Sequence, residues 1–312
     1  MLLHRPSGRR GLGFALAATT MLLWGVLPLA LREALRSLDP VTLTAFRFAV
    51  SAAALGAILG ARGALPALGG LARRGWLLLA IATVGLAANY IAFLLGLDHT
   101  SPANAQVLIQ LGPLLLAFGG IAIFRERFSA PQWLGAALLA AGLALFFRSQ
   151  LAAIGRDPER FLAGVAWIGF AAVTWAIYGL AQKQLLLALP SQGVMLCIYA
   201  GCALLFAPAS SFGAFAAVAP AAWGVLAFCA INTLVAYGAF AAALEHWEAS
   251  RVSAVLALTP VATLCFATAA AWLAPARFPA EHLPAASWTG AAIVVAGSLL
   301  TALGRNGAAR RS

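Results

Sequence analysis

The stretch NYIAFLLGLDH, residues 89–99, returns later in the chain as AYGAFAAALEH, residues 236–246. The same offset carries Leu111-Gly112-Pro113 onto Leu258-Thr259-Pro260, and further upstream Trp24 matches Trp175. Self-similarity over such a distance indicates that a structural unit has been duplicated. We therefore divide the chain into two repeats, 14–147 and 162–303, joined by a polar linker at 150–160.

The composition predicts that both repeats lie in a lipid bilayer. Of the 312 residues, 63% are hydrophobic and only 9% are charged, and the mean hydropathy is +0.93. A soluble domain usually carries about a quarter charged residues. The net charge of +11 is spread singly between apolar runs, so it does not form the basic face that a nucleic-acid partner requires.

Apolar runs of about 20 residues are long enough to cross the hydrocarbon core as helices. The sequence predicts an all-α integral membrane protein with ten such helices, five in each repeat. The predicted spans are 12–31, 41–60, 76–97, 103–124, 131–147, 162–184, 191–209, 221–243, 251–273 and 286–303.

An odd number of spans in each repeat makes the second copy enter the membrane from the opposite side, so the repeats are predicted to be inverted. Inverted repeats provide two near-equivalent conformations, which is the basis of alternating access in carriers. Thirteen basic residues fall on the side of the N-terminus and six on the other side. The positive-inside rule then places both termini in the cytoplasm.

Three further motifs stand out: Trp24-Gly25-Val26-Leu27-Pro28, Ala45-Phe46-Arg47-Phe48 and the block from Ser101-Pro102-Ala103-Asn104 to Leu111-Gly112-Pro113. They resemble the EamA-type members of the drug/metabolite transporter superfamily. The resemblance covers nearly the whole chain in two copies. It implies a carrier of the inner membrane that exports its substrate. The sequence departs from the family pattern at Ala276, where the first repeat has Glu126.

Nine polar or aromatic residues within the spans are candidates for substrate binding. Intramembrane polar groups are costly and often functional, although hydrogen bonding between helices and core packing explain many of them. Gln106 and Gln110 share a helix face, since they are four residues apart. The nine candidates are Trp24, Asn89, Tyr90, Gln106, Gln110, Trp175, Tyr178, Asn232 and Tyr237.

Arg47 is the only charged residue plainly inside a predicted span. It lies about 9 Å from the outer surface by helical rise, close enough for its side chain to reach outward. Two roles are open: a structural pairing near Asp39 or with a carbonyl, and contact with the substrate or a gate.

Pro113 and Pro260 occupy equivalent positions in spans 4 and 9. Proline removes a backbone hydrogen bond, so we expect both helices to bend there and each to leave a carbonyl free to line a cavity.

Two acid–histidine pairs end the duplicated stretch, Asp98-His99 and Glu245-His246. Inversion would place them on opposite faces, either as gates sensitive to pH or as ordinary solvated helix ends.

No Asp or Glu lies well inside a span, which disfavours the carboxylate-based exchange of protons for cations. The sequence predicts a carrier for small neutral, zwitterionic or amphipathic metabolites, with no cofactor and no metal. A pore and an intramembrane enzyme remain as alternatives. Neither a filter motif nor a nucleophile with a neighbouring base supports them.

Overall fold

A computed structural model gives the fold and describes residues 7, 9–124, 129–153, 158–247, 249–256, 258–278 and 284–303. Within these residues the chain forms twelve α-helices, short 3-10 turns and no strand, which confirms the all-α prediction. Part of the predicted linker, 154–157, lies outside the described residues, as do Glu126 and the chain ends. The helices are α1 (Arg10–Ala34), α2 (Pro40–Ala61), α3 (Arg73–His99), α4 (Pro102–Leu108), α5 (Leu111–Phe124), α6 (Ala130–Ala153), α7 (Pro158–Leu185), α8 (Ser191–Phe206), α9 (Trp223–His246), α10 (Ala249–Leu256), α11 (Thr259–Leu273) and α12 (Ala285–Leu303).

In the part of the chain that the structure describes, eight helical segments are long and apolar enough to cross a membrane. Thr259–Leu273 and Ala285–Thr301 are shorter apolar helices. Large apolar side chains stay exposed on the outer faces, among them Trp272, which is 83% exposed. An exposed apolar surface of this kind suits contact with lipid tails.

Helix α2 shows how its sequence sets a boundary. The backbone N–H groups of Val41 and Thr42 donate to Oδ1 of Asp39 at 2.9 and 3.0 Å, and Pro40 occupies the first turn. Burial by itself would raise the pKa of Asp39, but hydrogen bonds from the Thr42 side chain and from these two N–H groups outweigh it and lower the pKa. Asp39 therefore caps the N-terminus of α2 as a carboxylate.

Spans 4 and 9 are broken rather than bent at their prolines, which corrects our expectation. The ring of a helical proline clashes with the carbonyl four residues earlier. For Pro113 that residue is Ile109, in the turn between α4 and α5, and for Pro260 it is Leu256, the last residue of α10.

The carbonyls at these breaks accept hydrogen bonds within the fold, so they are not left free as predicted. The N–H of Gly112 donates to the carbonyl of Ile109 at 2.8 Å. In the second repeat the hydroxyl of Thr259 donates to the carbonyl of Leu256 at 2.6 Å. A backbone group in one repeat and a side chain in the other thus satisfy the acceptor that the proline releases.

Helices α3 and α7 pack antiparallel through small residues. Gly96 lies against Gly164 and Ile168, while Gly85, which is nearer the N-terminus of α3, lies against Thr174. Glycine at these positions lets two helix backbones approach closely.

Helices α1 and α9, which are equivalent to α7 and α3 by sequence, are also antiparallel. Side-chain hydrogen bonds join them. The hydroxyl of Thr20 donates to the carbonyl of Ala236 at 3.1 Å, and Nδ2 of Asn232 donates to that of Leu23 at 2.7 Å. Asn232 holds the position equivalent to Gly85, so at this point a side-chain hydrogen bond takes the place of a glycine contact.

Helices that match by sequence repeat also meet each other. Gly135 and Gly142 of α6 lie against Gly297 and Gly290 of α12, respectively. The order of contacts is reversed along the two helices, so α6 and α12 run antiparallel.

Helices α2 and α8 are also equivalent by sequence, and they also meet and run antiparallel. The rings of Phe48 and Phe206 stack at 6.4 Å, whereas Gly56, further along α2, lies against Leu196, earlier in α8. The largest apolar core lies between the two halves and contains aromatic residues from both, including Phe48, Tyr90, Trp175, Tyr199 and Tyr237.

Candidate functional site

One cavity lies at the centre of the helix bundle, and both repeats supply its walls. It extends from Trp24 along α1 to Leu31 and from Asn89 along α3 to Phe93. Seven of the nine candidate residues line it, together with Arg47 and Pro113: Trp24, Asn89, Tyr90, Gln106, Gln110, Trp175 and Tyr237.

Aromatic rings from equivalent positions form one wall of this central cavity. The ring centroids of Trp24 and Trp175 are 6.1 Å apart, and those of Tyr90 and Tyr237 are 5.4 Å apart. Trp24 also packs on Tyr237 at 4.9 Å and on Phe240 at 5.6 Å. Offset and edge-on contacts of this kind favour a rigid apolar wall.

Arg47 reaches inward from α2 and is only 2% exposed. Its Nε donates to Oγ1 of Thr233 at 2.9 Å and to the carbonyl of Cys229 at 3.4 Å. The guanidinium carbon lies 4.6 Å from the centre of the Tyr90 ring, a cation–π contact. The side chain therefore does not extend toward the outer surface, and its carbonyl partner belongs to α9.

The amide side chains of the cavity are only partly used in the fold. Nδ2 of Asn89 donates to the carbonyl of Ala171 at 2.9 Å and so joins α3 to α7. By contrast, Oε1 of Gln110 and Nε1 of Trp24 are buried and have no hydrogen-bond partner among the described residues. Buried polar atoms normally have partners, so these two atoms are available to a ligand.

Two of the nine candidates lie away from the central cavity. The hydroxyl of Tyr178 donates to the sulfur of Met195 at 3.5 Å, within the apolar core. Asn232 uses its Nδ2 on Leu23, between α9 and α1. Pro260 is also outside it, in a lipid-side groove between α11 and α12.

The first acid–histidine pair lies at the end of α3. Nδ1 of His99 is 4.0 Å from Oδ2 of Asp98 and 2.7 Å from the carbonyl oxygen of Leu95. Oδ2 of Asp98 is also 3.7 Å from Nη2 of Arg160, on α7. This pair therefore sits at the α3–α7 contact and not in the cavity.

The second pair lies at the end of α9 and has different partners. The hydroxyl of Ser191 donates to Oε2 of Glu245 at 2.6 Å, and Oγ of Ser7 is 2.8 Å from Nδ1 of His246. Each pair joins neighbouring segments at one end of a helix, in keeping with either of the roles left open above.

Sequence reasoning did not single out Thr233, which holds Arg47, or the wall residues Phe93, Leu256 and Thr259. Threonine and leucine are common throughout these spans, so composition gave no signal for them. The position of Thr259 beside Pro260 is the one available clue, because a hydroxyl there can satisfy a carbonyl that the proline releases.

The groups that line the described cavity are suited to binding a small molecule. Among the described residues no group of three or more His, Cys, Asp or Glu side chains could hold a metal ion. The central cavity offers unpartnered polar atoms on Trp24, Tyr90 and Gln110 together with aromatic faces, a set that suits reversible capture of a small molecule.

Comparison with known families gives one match that covers both repeats. The model of the EamA-like transporter family matches residues 11–148 and 162–303. A solved crystal structure with 22% sequence identity superposes with a TM-score of 0.66, covering 95% of this chain and 96% of the other. The similarity at this level of identity concerns the fold.

The curated relatives are bacterial membrane proteins. The uncharacterized inner membrane transporter YhbE of Escherichia coli K12 is 37% identical, and the match covers 94% of this chain and 92% of that protein. An uncharacterized transporter of Haemophilus influenzae is 35% identical over 94% of this chain and 95% of its own length. The aromatic amino acid exporter YddG of Ancylobacter novellus is 26% identical over 53% of this chain and 56% of its own length.

Proposed function

Since the chain belongs to the EamA-like transporter family, we propose that it is an inner-membrane carrier that exports small neutral, zwitterionic or amphipathic metabolites by alternating access. That it is a membrane transporter follows from the family and from its apolar helices. The substrate class, the direction and the mechanism are the proposal. The name of the Ancylobacter relative makes aromatic amino acids the first compounds to test.

Helix packing supports ten spans in two inverted repeats. If each broken pair, α4 with α5 and α10 with α11, counts as one span, every repeat has five. Helices that are equivalent by sequence, α2 with α8 and α6 with α12, run antiparallel. Inverted copies of one unit are expected to meet in this way.

The observation that carries the proposal is a central cavity that both repeats build but that extends toward one side only. Leu27, Leu31 and Phe93 line it in the first repeat. Their sequence equivalents, Tyr178, Gln182 and Phe240, do not line it, and Tyr178 and Phe240 belong to the apolar core. A cavity that both repeats line but that extends toward one side only is expected of one conformation of an alternating-access carrier.

The opposite half is closed by a specific contact. The hydroxyl of Tyr178 and Nε2 of Gln182 both donate to the sulfur of Met195 at 3.5 Å. With both termini in the cytoplasm, α1 and α3 end outside, so the cavity faces outward and this contact closes the cytoplasmic side. Exchange between this outward-facing arrangement and the equivalent inward-facing one would carry a molecule across the membrane without opening a continuous pore.

Counterflow in proteoliposomes tests the proposal. Purified protein is reconstituted with a labelled metabolite extract outside and an excess of the unlabelled extract inside, with protein-free vesicles as the control. We expect saturable, transient accumulation of a few labelled compounds. Non-saturable flux would indicate a pore, and chemical conversion of a compound would indicate an enzyme; either result would remove the carrier.

A further inference from the structure

Arg47 carries an unused positive charge at the cavity. Among the described residues it is the only charged side chain that lines the central cavity. Its only hydrogen bonds to described residues come from Nε, and neither terminal nitrogen donates to one. Since a guanidinium has five N–H donors, four of them remain for another acceptor.

No acidic side chain within the described residues neutralises this charge. The described acids all lie at helix ends: Glu33, Asp39, Asp98, Glu159 and Glu245. Glu33 pairs with Arg36 and Arg277, Asp98 lies beside Arg160, and Glu245 accepts from Ser191. A charge held within a membrane is normally paired, because leaving it alone is costly.

We propose that Arg47 is the anion-binding residue of the carrier and that its terminal nitrogens bind the carboxylate of a substrate with an apolar, ring-sized body. The inference rests on the function proposed above and names the substrate class of that site. Arg47 supplies one positive charge and the rest of the described lining is neutral, so a single carboxylate group is enough to pair this charge. Planar guanidinium and carboxylate groups also match in two parallel hydrogen bonds.

The neighbours of Arg47 hold it in a suitable orientation. Thr233 engages Nε, the side of the guanidinium opposite to the free edge, and Tyr90 lies against its face. Thr233 and Tyr90 are therefore positioning residues. The unpartnered Nε1 of Trp24 provides a further donor beside the aromatic wall, against which the apolar body would pack.

Matched pairs of an acid and its amide test this inference on the purified full-length protein. The probes are 3-phenylpropionate with 3-phenylpropionamide, and L-phenylalanine with L-phenylalaninamide, and the readouts are the shift in Tm and the Kd. We expect both acids to raise the Tm and the amides to have little effect. In Arg47→Gln the Kd of the acids should rise at least about tenfold and the preference for acid over amide should vanish.

Arg32→Gln is the matched control, because it removes one exposed arginine from the end of α1 and should leave the acid preference intact. If Arg47→Gln does not fold, the acid–amide comparison in the unaltered protein and in Arg47→Lys still decides. Equal stabilisation by acids and amides, stabilisation by neither, or an unchanged Kd in Arg47→Gln would overturn the inference. Counterflow of compounds without a carboxylate would overturn it while leaving the carrier function standing.

Discussion

Trp24 and Trp175, which hold the same position in the two repeats, meet edge to face with ring centroids 6.1 Å apart and an angle of 77° between their planes. Tyr90 and Tyr237 are a second equivalent pair in contact. Residues related by a two-fold axis can touch only close to that axis. These two contacts therefore place the pseudo-symmetry axis of the proposed inverted repeats at the wall of the central cavity.

A double-mutant cycle on Trp24→Leu and Trp175→Leu should show coupling between the two rings. An edge-to-face pair contributes about 0.5–1.5 kcal/mol beyond its burial, so the two effects on the free energy of unfolding should fail to add by about 1 kcal/mol. Denaturant titration in detergent micelles gives this quantity. Trp288, which is exposed at the start of α12, is the control partner, and its cycle with Trp24 should be additive.

Gly142→Ala should destabilise the protein through the α6–α12 contact. A Cβ at this position would lie 2.7 Å from the backbone nitrogen of Val294 and 2.9 Å from the carbonyl oxygen of Gly290, and neither backbone atom can turn aside. We expect a loss of about 1–3 kcal/mol in thermal or denaturant unfolding. Gly169→Ala in α7 is the control, because a Cβ there meets no atom within 4 Å. Equal effects of the two substitutions would contradict a close helix contact.

The repeat was readable from the sequence because duplication left identical residue types at Trp24, Trp175, Tyr90 and Tyr237. The same symmetry explains the placement of Tyr178 outside the cavity. Its equivalent, Leu27, lines the cavity, and under the proposed alternating access one conformation opens only one of the two related halves. Sequence symmetry assigns the same role to both positions, so it does not specify which half is open.

The helix breaks were predicted only in part for a different reason. Proline marks where a backbone hydrogen bond is lost, but its ring acts on the carbonyl four residues earlier. The breaks consequently begin near Ile109 and Leu256 and not at Pro113 and Pro260. Whether a freed carbonyl finds a new donor depends on the neighbouring residue, here Gly112 or Thr259.

Thr259→Val should weaken the break between α10 and α11. The substitution keeps the shape of the side chain but removes the hydroxyl that donates to the carbonyl of Leu256. Hydrogen bonds of this kind in membrane proteins contribute about 0.6–1.7 kcal/mol, and we expect a loss of that size in the free energy of unfolding. Thr268→Val is the control, since its exposed hydroxyl bonds only within α11, to Leu264. A Thr259→Val protein as stable as the original would show that the carbonyl does not need this donor.

Asp39 should make stability depend on pH in the acid range. Its folded-state pKa lies below the ordinary value of 3.8, so its carboxylate stabilises the fold above that value. The contribution should disappear as the pH falls below 3.8 and through the lowered pKa of the folded state. Asp39→Ala should cost about 0.5–2 kcal/mol at pH 7, whereas Asp39→Asn keeps a capping oxygen and should cost less. Unfolding measured from pH 6 to pH 3 should show a shallower loss for Asp39→Asn; parallel curves would be evidence against the cap.

Cysteine labelling can distinguish the open half from the closed half and also test the orientation in the membrane. Phe93 lines the central cavity and is partly exposed, whereas its equivalent, Phe240, is 1% exposed and packs against Trp24 and Trp175. In a background without the four native cysteines, a membrane-impermeant maleimide added outside intact cells should label Phe93→Cys and leave Phe240→Cys unlabelled. Labelling of Phe240→Cys should appear when the reagent is added from the cytoplasmic side under conditions that favour the alternate state. If Phe93→Cys reacts only from the cytoplasmic side, the proposed orientation is reversed, and if both positions react equally from one side, the two halves do not alternate.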